Sequence, residues 1–99
     1  MEVAVSQDGD MTVLTIKGRL DTATAPQLQE MLIPLVDSAK RVKLDFANLI
    51  YISSAGLRVL LLGEKTAKSR DGSMNIVNVA DDVREIFEIT GFADILKIA

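Results

Sequence analysis

Strand-like and helix-like segments alternate along this chain, and this alternation limits its possible folds more than any other feature. Polar and apolar residues alternate over Val3 and Val5 and again, less regularly, over Met11, Val13, Leu14 and Ile16. Polar residues, Gln7-Asp8-Gly9-Asp10, separate these two segments, so the pattern predicts an N-terminal β-hairpin. Helical and strand-like segments then follow in turn, which is typical of an α/β protein with parallel strands.

The first helix is predicted to begin at Thr24-Ala25-Pro26-Gln27. This sequence matches a capping box, in which the threonine side chain accepts a backbone hydrogen bond and the glutamine side chain reaches back. Pro34 lacks a backbone donor inside the helical pattern, so we expect a kink or an early end near this residue. The apolar face of the helix consists of Leu28, Met31, Leu32, Leu35 and Val36.

Polar and apolar residues alternate from Lys40 to Phe46, which predicts a strand whose basic residues lie on a solvated edge of the sheet. A second helix is predicted to begin at Ser53-Ser54-Ala55-Gly56, directly after an apolar run, and to end at Asp71-Gly72. Three further elements are predicted: a strand over Met74–Val79, a helix capped by Asp81 and closed by Gly91, and a short strand within Ile95–Ile98.

The 99 residues, 48% hydrophobic and 25% charged, suffice for one packed core. We therefore predict a single α/β domain spanning residues 1–99. Its mixed sheet is expected to have four to five strands, with the N-terminal hairpin antiparallel and about three to four helices packed on it.

Composition excludes several classes of function. The chain has no cysteine and no histidine, so thiolate metal sites, cysteine nucleophiles and most hydrolase constellations are not expected, and no cofactor is predicted. A net charge of −3 and four aromatic residues argue against nucleic-acid binding. No apolar run exceeds four residues, so we expect no membrane insertion and a cytoplasmic location.

The most informative stretch is the start of the second helix. Two serines there precede unpaired backbone N–H groups and the positive end of the helix dipole, where a phosphate on a serine is tolerated. The residues alone favour a structural role over a phosphorylation site, with Ser53 or Ser54 as the N-cap and with Ala55 and Gly56 small for close packing. The acidic pair Asp81-Asp82 is explained by a helix first turn rather than by a metal site.

Three segments together resemble the STAS family, specifically the bacterial anti-sigma factor antagonists: Gly18-Arg19-Leu20-Asp21, Leu49 to Leu57, and Phe87 to Phe92. The resemblance implies that Ser54 is phosphorylated by an anti-sigma factor that is itself a serine kinase. It also implies that Asp21 lies beside this serine and contributes to partner binding. Many family members have an acidic residue where this chain has Ser53, which leaves Ser53 as an alternative modified residue.

The function implied by the resemblance is a non-enzymatic switch. The unphosphorylated domain binds the kinase-type anti-sigma factor and frees a sigma factor, phosphorylation releases the domain, and a metal-dependent serine phosphatase resets it. The alternative is a structural STAS subunit of a transporter or scaffold assembly, in which Ser54 is only a cap. The expected interaction surface consists of Asp21, Ser53, Ser54, Ala55, Gly56 and Arg58.

Overall fold

A computed structural model describes the whole chain, residues 1–99. In chain order the elements are β1 (Glu2–Asp8), β2 (Met11–Leu20), α1 (Ala25–Ser38), β3 (Arg41–Ile52), α2 (Ser54–Ser69), β4 (Ser73–Val77), α3 (Asp81–Thr90), a 3₁₀ turn (Phe92–Asp94) and β5 (Lys97–Ile98). The predicted α/β class, the mixed sheet and the N-terminal hairpin are confirmed. None of the helices is both long enough and apolar enough to cross a bilayer.

All five strands belong to one sheet, in the spatial order β1-β2-β3-β4-β5. β1 and β2 are antiparallel and are joined by a tight turn in which Gly9 has a left-handed φ of 65°. The pairs β2–β3, β3–β4 and β4–β5 are parallel, and each is connected by one helix. Because such connections are almost always right-handed, the three helices lie on the same face of the sheet.

The core lies between this face of the sheet and the helices. Leu14, Leu44 and Ile76 stand in register on β2, β3 and β4, and all three are fully buried. In total 21 buried hydrophobic residues form one cluster. On the opposite face of the sheet, Val13 and Lys43 remain partly exposed, because no helix covers them.

The predicted helix starts are correct in position, but the capping bond predicted for Thr24 and the N-cap predicted at Asp81 are wrong. Thr24 occupies the N-cap of α1, yet its side chain makes no capping bond, because its oxygen accepts from the Asp21 N–H at 2.8 Å while its proton is donated to the Arg19 carbonyl oxygen at 2.9 Å. Ala80, not Asp81, is the N-cap of α3, and Asp81 is the first helical residue, where its charge suits the helix dipole. The predicted end of α3 is confirmed, since Gly91 adopts a left-handed φ of 81°.

Pro34 does not end the first helix. α1 continues through it to Ser38, so the predicted early end is wrong. The Pro34 carbonyl oxygen accepts a hydrogen bond from the Ser38 hydroxyl at 2.9 Å, and apolar residues on both sides of the proline are buried in the core. Burial of the helix face outweighs the one backbone bond that proline removes.

β3 is both longer and more central than predicted. It runs to Ile52, and it is the middle strand of the sheet, so its basic residues do not lie on a strand edge. Two register shifts against β2 insert extra residues into β3. As a result, Phe46, Leu49 and Ile52 are buried at intervals of three residues rather than two.

One buried polar side chain stands out in α2. Glu64 is only 2% exposed, and neither of its carboxylate oxygens has a hydrogen-bond partner. The Nζ of Lys68, one helical turn later, lies 3.7 Å from Glu64 Oε2 and is the only ion-pair partner of this carboxylate. A buried charge with so little compensation lowers the stability of the fold relative to an apolar residue at this position.

Candidate functional site

The candidate site lies where β2 and β3 end. Leu20 and Ile52 are register partners in the parallel pair, and the Ser53 N–H donates to the Leu20 carbonyl oxygen at 2.9 Å. The segment that begins at Asp21 and the start of α2 therefore leave the sheet side by side. The resemblance predicted this proximity, and the strand register explains it.

The two adjacent serines have different environments. Ser53 is the N-cap of α2, with extended backbone angles, and its side-chain oxygen accepts a hydrogen bond from the Gly56 N–H at 3.3 Å. Ser54 is the first residue of the helix, is exposed, and its hydroxyl makes no hydrogen bond within the chain. The capping role foreseen for one of the serines thus belongs to Ser53, and the hydroxyl of Ser54 faces solvent.

Asp21 organises the turn that leads into α1. Its Oδ1 accepts hydrogen bonds from the backbone N–H groups of Ala23 and Thr24, both at 3.0 Å, and from the Thr24 hydroxyl at 3.1 Å. These bonds, above all the one from the Thr24 N–H, hold the pKa of the Asp21 carboxyl below its usual value of 3.8. Arg19 adds a weaker attraction, with its Nε 3.9 Å from Oδ2.

The other predicted contact residues divide into exposed and buried positions. Arg58 is exposed and Ala55 is half-buried, whereas Gly56 is buried and has no side chain to offer a partner. A Cβ at position 56 would lie 2.7 Å from Leu20 Cγ and 3.0 Å from Ile52 Cγ1. Gly56 therefore serves to seat α2 against the ends of β2 and β3.

A groove of about 460 Å³ runs between α1 and α2, and its lining includes Ala55, the residue after Ser54. Pro26 and Gln29 line it from α1, and Leu62 and Lys65 line it from α2. Leu62 keeps 40% of its surface exposed, which is high for a leucine. Sequence reasoning missed these four residues, because helical periodicity identifies a buried face but does not show where two helices leave a gap.

Arg19 and Tyr51 form a second feature that sequence reasoning did not foresee. The guanidinium carbon of Arg19 lies 4.2 Å from the centre of the Tyr51 ring, within cation–π range. The two residues are register partners only because β3 contains extra residues at this point. Regular alternation along the strands gives no signal for this pairing.

Acidic side chains do not gather into a metal site in the structure. No group of three or more histidine, cysteine, aspartate or glutamate side chains is arranged to hold an ion. Asp21 is instead committed to backbone hydrogen bonds in its own turn. The site therefore consists of a free hydroxyl, an ordered carboxylate and a basic, partly apolar groove.

Comparison with known proteins assigns the family. The model of a family described as "Mlab, STAS domain" matches residues 3–97. The chain belongs to the STAS domain family. The domain is 38% identical over its whole length to a Bordetella bronchiseptica protein, BtrV, provisionally named as an anti-sigma factor antagonist, and covers 86% of that protein.

Other relatives and structures agree with this assignment. The STAS domain is 30% identical over 99 residues to the anti-sigma-B factor antagonist of Bacillus subtilis, covering all of this chain and 91% of that protein. The structure of the Bacillus cell fate determinant SpoIIAA in its phosphorylated form superposes with a TM-score of 0.76 at 16% identity, covering 99% of this chain and 91% of that one. The fold is therefore the STAS fold.

Gly56→Ala is expected to lower the free energy of unfolding by about 1–2 kcal/mol, measured by urea denaturation. Overpacking against Leu20 and Ile52 costs about 1–3 kcal/mol, and the better helix propensity of alanine offsets up to about 1 kcal/mol. Gly63→Ala is the matched control. There the nearest atoms are Met74 Sδ at 2.9 Å and Leu32 Cδ2 at 3.0 Å, on flexible side chains that can move, so a change near zero is expected. A larger loss at position 63 than at 56 would contradict this account.

Asp21→Asn is expected to reduce stability in a pH-dependent manner. Because the folded-state pKa is lowered, the ionised carboxylate stabilises the fold fully above its unfolded-state pKa near 3.8, and this stabilisation is lost as the pH falls through the folded value. The difference in unfolding free energy between wild type and Asp21→Asn should be constant above about pH 5 and shrink below it. Denaturation curves at a series of pH values measure this difference, and one that grows toward acid pH would refute the assignment.

Proposed function

We propose that this STAS domain is an anti-sigma factor antagonist controlled by phosphorylation of Ser54. In its unphosphorylated form it binds an anti-sigma factor that is a serine kinase, and a sigma factor is thereby freed. The kinase transfers the γ-phosphoryl group of ATP to Ser54 Oγ, which loses its proton, and ADP leaves. A metal-dependent serine phosphatase restores the hydroxyl. The names of the Bordetella and Bacillus relatives support the antagonist activity.

The environment of Ser54 is the observation that carries this proposal. Its side chain is exposed and free of hydrogen bonds, so a kinase can reach it without unfolding any part of the chain. Ser53 is half-buried, and its oxygen is engaged by the Gly56 N–H. A kinase that modifies Ser53 must therefore first break this capping bond, which costs about 0.5–2 kcal/mol.

Two opposing local effects act on a phosphate at Ser54. The N-terminus of α2 attracts it, which is worth about 0.3–1 kcal/mol at an exposed site and up to ~2 kcal/mol when partly buried. The ionised Asp21 carboxylate, at the end of the neighbouring strand, repels it. Because the two effects partly cancel, phosphorylation is expected to change the surface charge by about −1.5 to −2 without refolding the domain.

The proposed role is binding rather than catalysis. The Ser54 hydroxyl has no hydrogen-bonded side chain that could remove its proton, and the chain contains no histidine. We propose the cytoplasm as the location of this binding and phosphorylation, since a cysteine-free chain suits a reducing compartment that supplies ATP.

Affinity capture from the native cell tests the class of function. A kinase-like partner supports the proposal, and a membrane transporter complex would favour a structural role instead.

Incubation with the captured kinase and ATP is expected to add one phosphate, on Ser54, because this hydroxyl is exposed and makes no hydrogen bond, whereas Ser53 is half-buried and caps α2. Mass spectrometry of proteolytic fragments locates the modification. Ser54→Ala should abolish it, whereas Ser53→Ala, the matched control, should still be phosphorylated at Ser54. A phosphate on Ser53, or on Thr22 or Thr24 in the neighbouring turn, would show that the site is wrongly assigned.

Phosphorylation of Ser54 is expected to weaken binding to the kinase at least tenfold, about 1.4 kcal/mol, because the added charge loses water at the interface. Calorimetric titration of the kinase measures the affinities. Ser54→Ala should bind like wild type, and Ser54→Asp should bind more weakly, though less so than the phosphoserine form, since one carboxylate carries less charge. Equal affinities of the wild-type and phosphorylated domains would remove the switch mechanism.

A further inference from the structure

Arg58 lies one helical turn after Ser54 on the exposed side of α2. Residues four apart on a helix are neighbours, with Cβ atoms typically about 5–6 Å apart. The side chain of Arg58 is exposed and forms no ion pair or hydrogen bond within the chain. The four ion pairs of the structure use other cations: Arg19, Arg41, Lys68 and Arg70. A free guanidinium therefore stands next to the free hydroxyl of Ser54.

We propose that Arg58 is a counter-ion with two mutually exclusive partners, an inference that rests on the proposed phosphorylation of Ser54. In the unphosphorylated domain, Arg58 binds an acidic side chain of the anti-sigma factor. After phosphorylation, Arg58 turns back along α2 and binds the phosphate on Ser54. The acidic side chain of the partner then loses its cation at the same moment as the interface gains a negative charge.

The helix geometry favours the pair within the phosphorylated domain. An anionic residue placed four positions before a cationic one is the stabilising order on an α-helix. A guanidinium can donate two parallel hydrogen bonds to a phosphate, which makes arginine a strong phosphate ligand. Arg19, the other cation near the site, is already held by Asp21 and by the Tyr51 ring. Arg58 is the nearby cation without an existing partner.

The groove beside Arg58 favours an acidic partner in the unphosphorylated domain. Its 10 lining residues include two cations, Arg58 and Lys65, and no aspartate or glutamate. Neither cation is in an ion pair. Leu62, 40% exposed, supplies an apolar surface between them. A segment with acidic and apolar side chains is complementary to this groove, and a kinase that reaches Ser54 must cover Arg58, one turn away.

The first test examines the free domain and needs no kinase. Phosphoserine is incorporated at position 54 during synthesis of the chain, and the Nε–H group of Arg58 is followed by ¹⁵N NMR. The phosphorylated domain is expected to show a shifted Arg58 signal whose hydrogen exchange is slowed several-fold. Arg58→Gln assigns the signal by removing it. A signal that is unchanged by phosphorylation overturns the proposal.

The second test measures binding of the unphosphorylated domain to the captured anti-sigma factor. Arg58→Gln is expected to weaken binding at least fivefold and to reduce its dependence on salt concentration, because one charge pair is lost. Lys97→Gln is the matched control. It removes the same charge from an exposed side chain on β5, on the uncovered face of the sheet, and should bind like wild type. Equal binding by Arg58→Gln and wild type overturns the proposal.

The two tests separate this inference from the function on which it rests. If Ser54 is phosphorylated and release follows, but either test gives the overturning result, the switch stands and Arg58 does not exchange between two partners. If no kinase modifies Ser54, the proposed function fails, and the partner half of this inference fails with it. The NMR result then still decides whether Arg58 can bind a phosphate at position 54.

Discussion

The hydrogen bond between the Ser53 N–H and the Leu20 carbonyl oxygen is the constraint on which the site depends. It is the last link of the parallel pairing between β2 and β3, and it fixes where the chain leaves each strand. Asp21 then begins one segment and Ser54 the other, without any direct bond between their side chains. The core beneath, filled by buried residues such as Leu20 and Ile52, holds both segments in place. The site is therefore anchored to the ends of two paired strands, which suits a surface that a partner recognises without rearrangement.

The sequence predicts the order of the elements well, because each one has a clear apolar periodicity. It predicts β3 less well, since the extra residues in this strand replace a two-residue spacing with a three-residue spacing between Phe46, Leu49 and Ile52. Capping is also hard to predict. The sequence around Thr24 fits a capping box, but the threonine hydroxyl instead accepts from the Asp21 N–H and donates to the Arg19 carbonyl oxygen. Local rules do not include such competing partners from the preceding turn.

The family resemblance predicts which two segments meet at the candidate site, but not the separate environments of the residues in them. Position in the chain does not distinguish a serine whose oxygen caps a helix from a serine whose hydroxyl is free. That difference follows from backbone angles, which are extended at Ser53 and helical from Ser54 onward. Likewise, the resemblance places Gly56 in the interaction surface, whereas its burial under Leu20 makes it a packing residue. Backbone conformation and burial, which depend on the whole fold, decide these cases.

The close fit between Gly56 and Leu20 links two positions that are 36 residues apart in the chain. The side chain at either position cannot change in size without a matching change at the other. A larger residue at 56 collides with Leu20, and a smaller residue at 20 leaves a cavity above the helix start. Divergent STAS domains that carry a side chain at the position of Gly56 therefore need a compensating change at the end of β2, and the two positions should vary together during evolution. Substitutions in the segment before α1 and at the start of α2 are thus constrained together during evolution, although the two segments are far apart in the sequence.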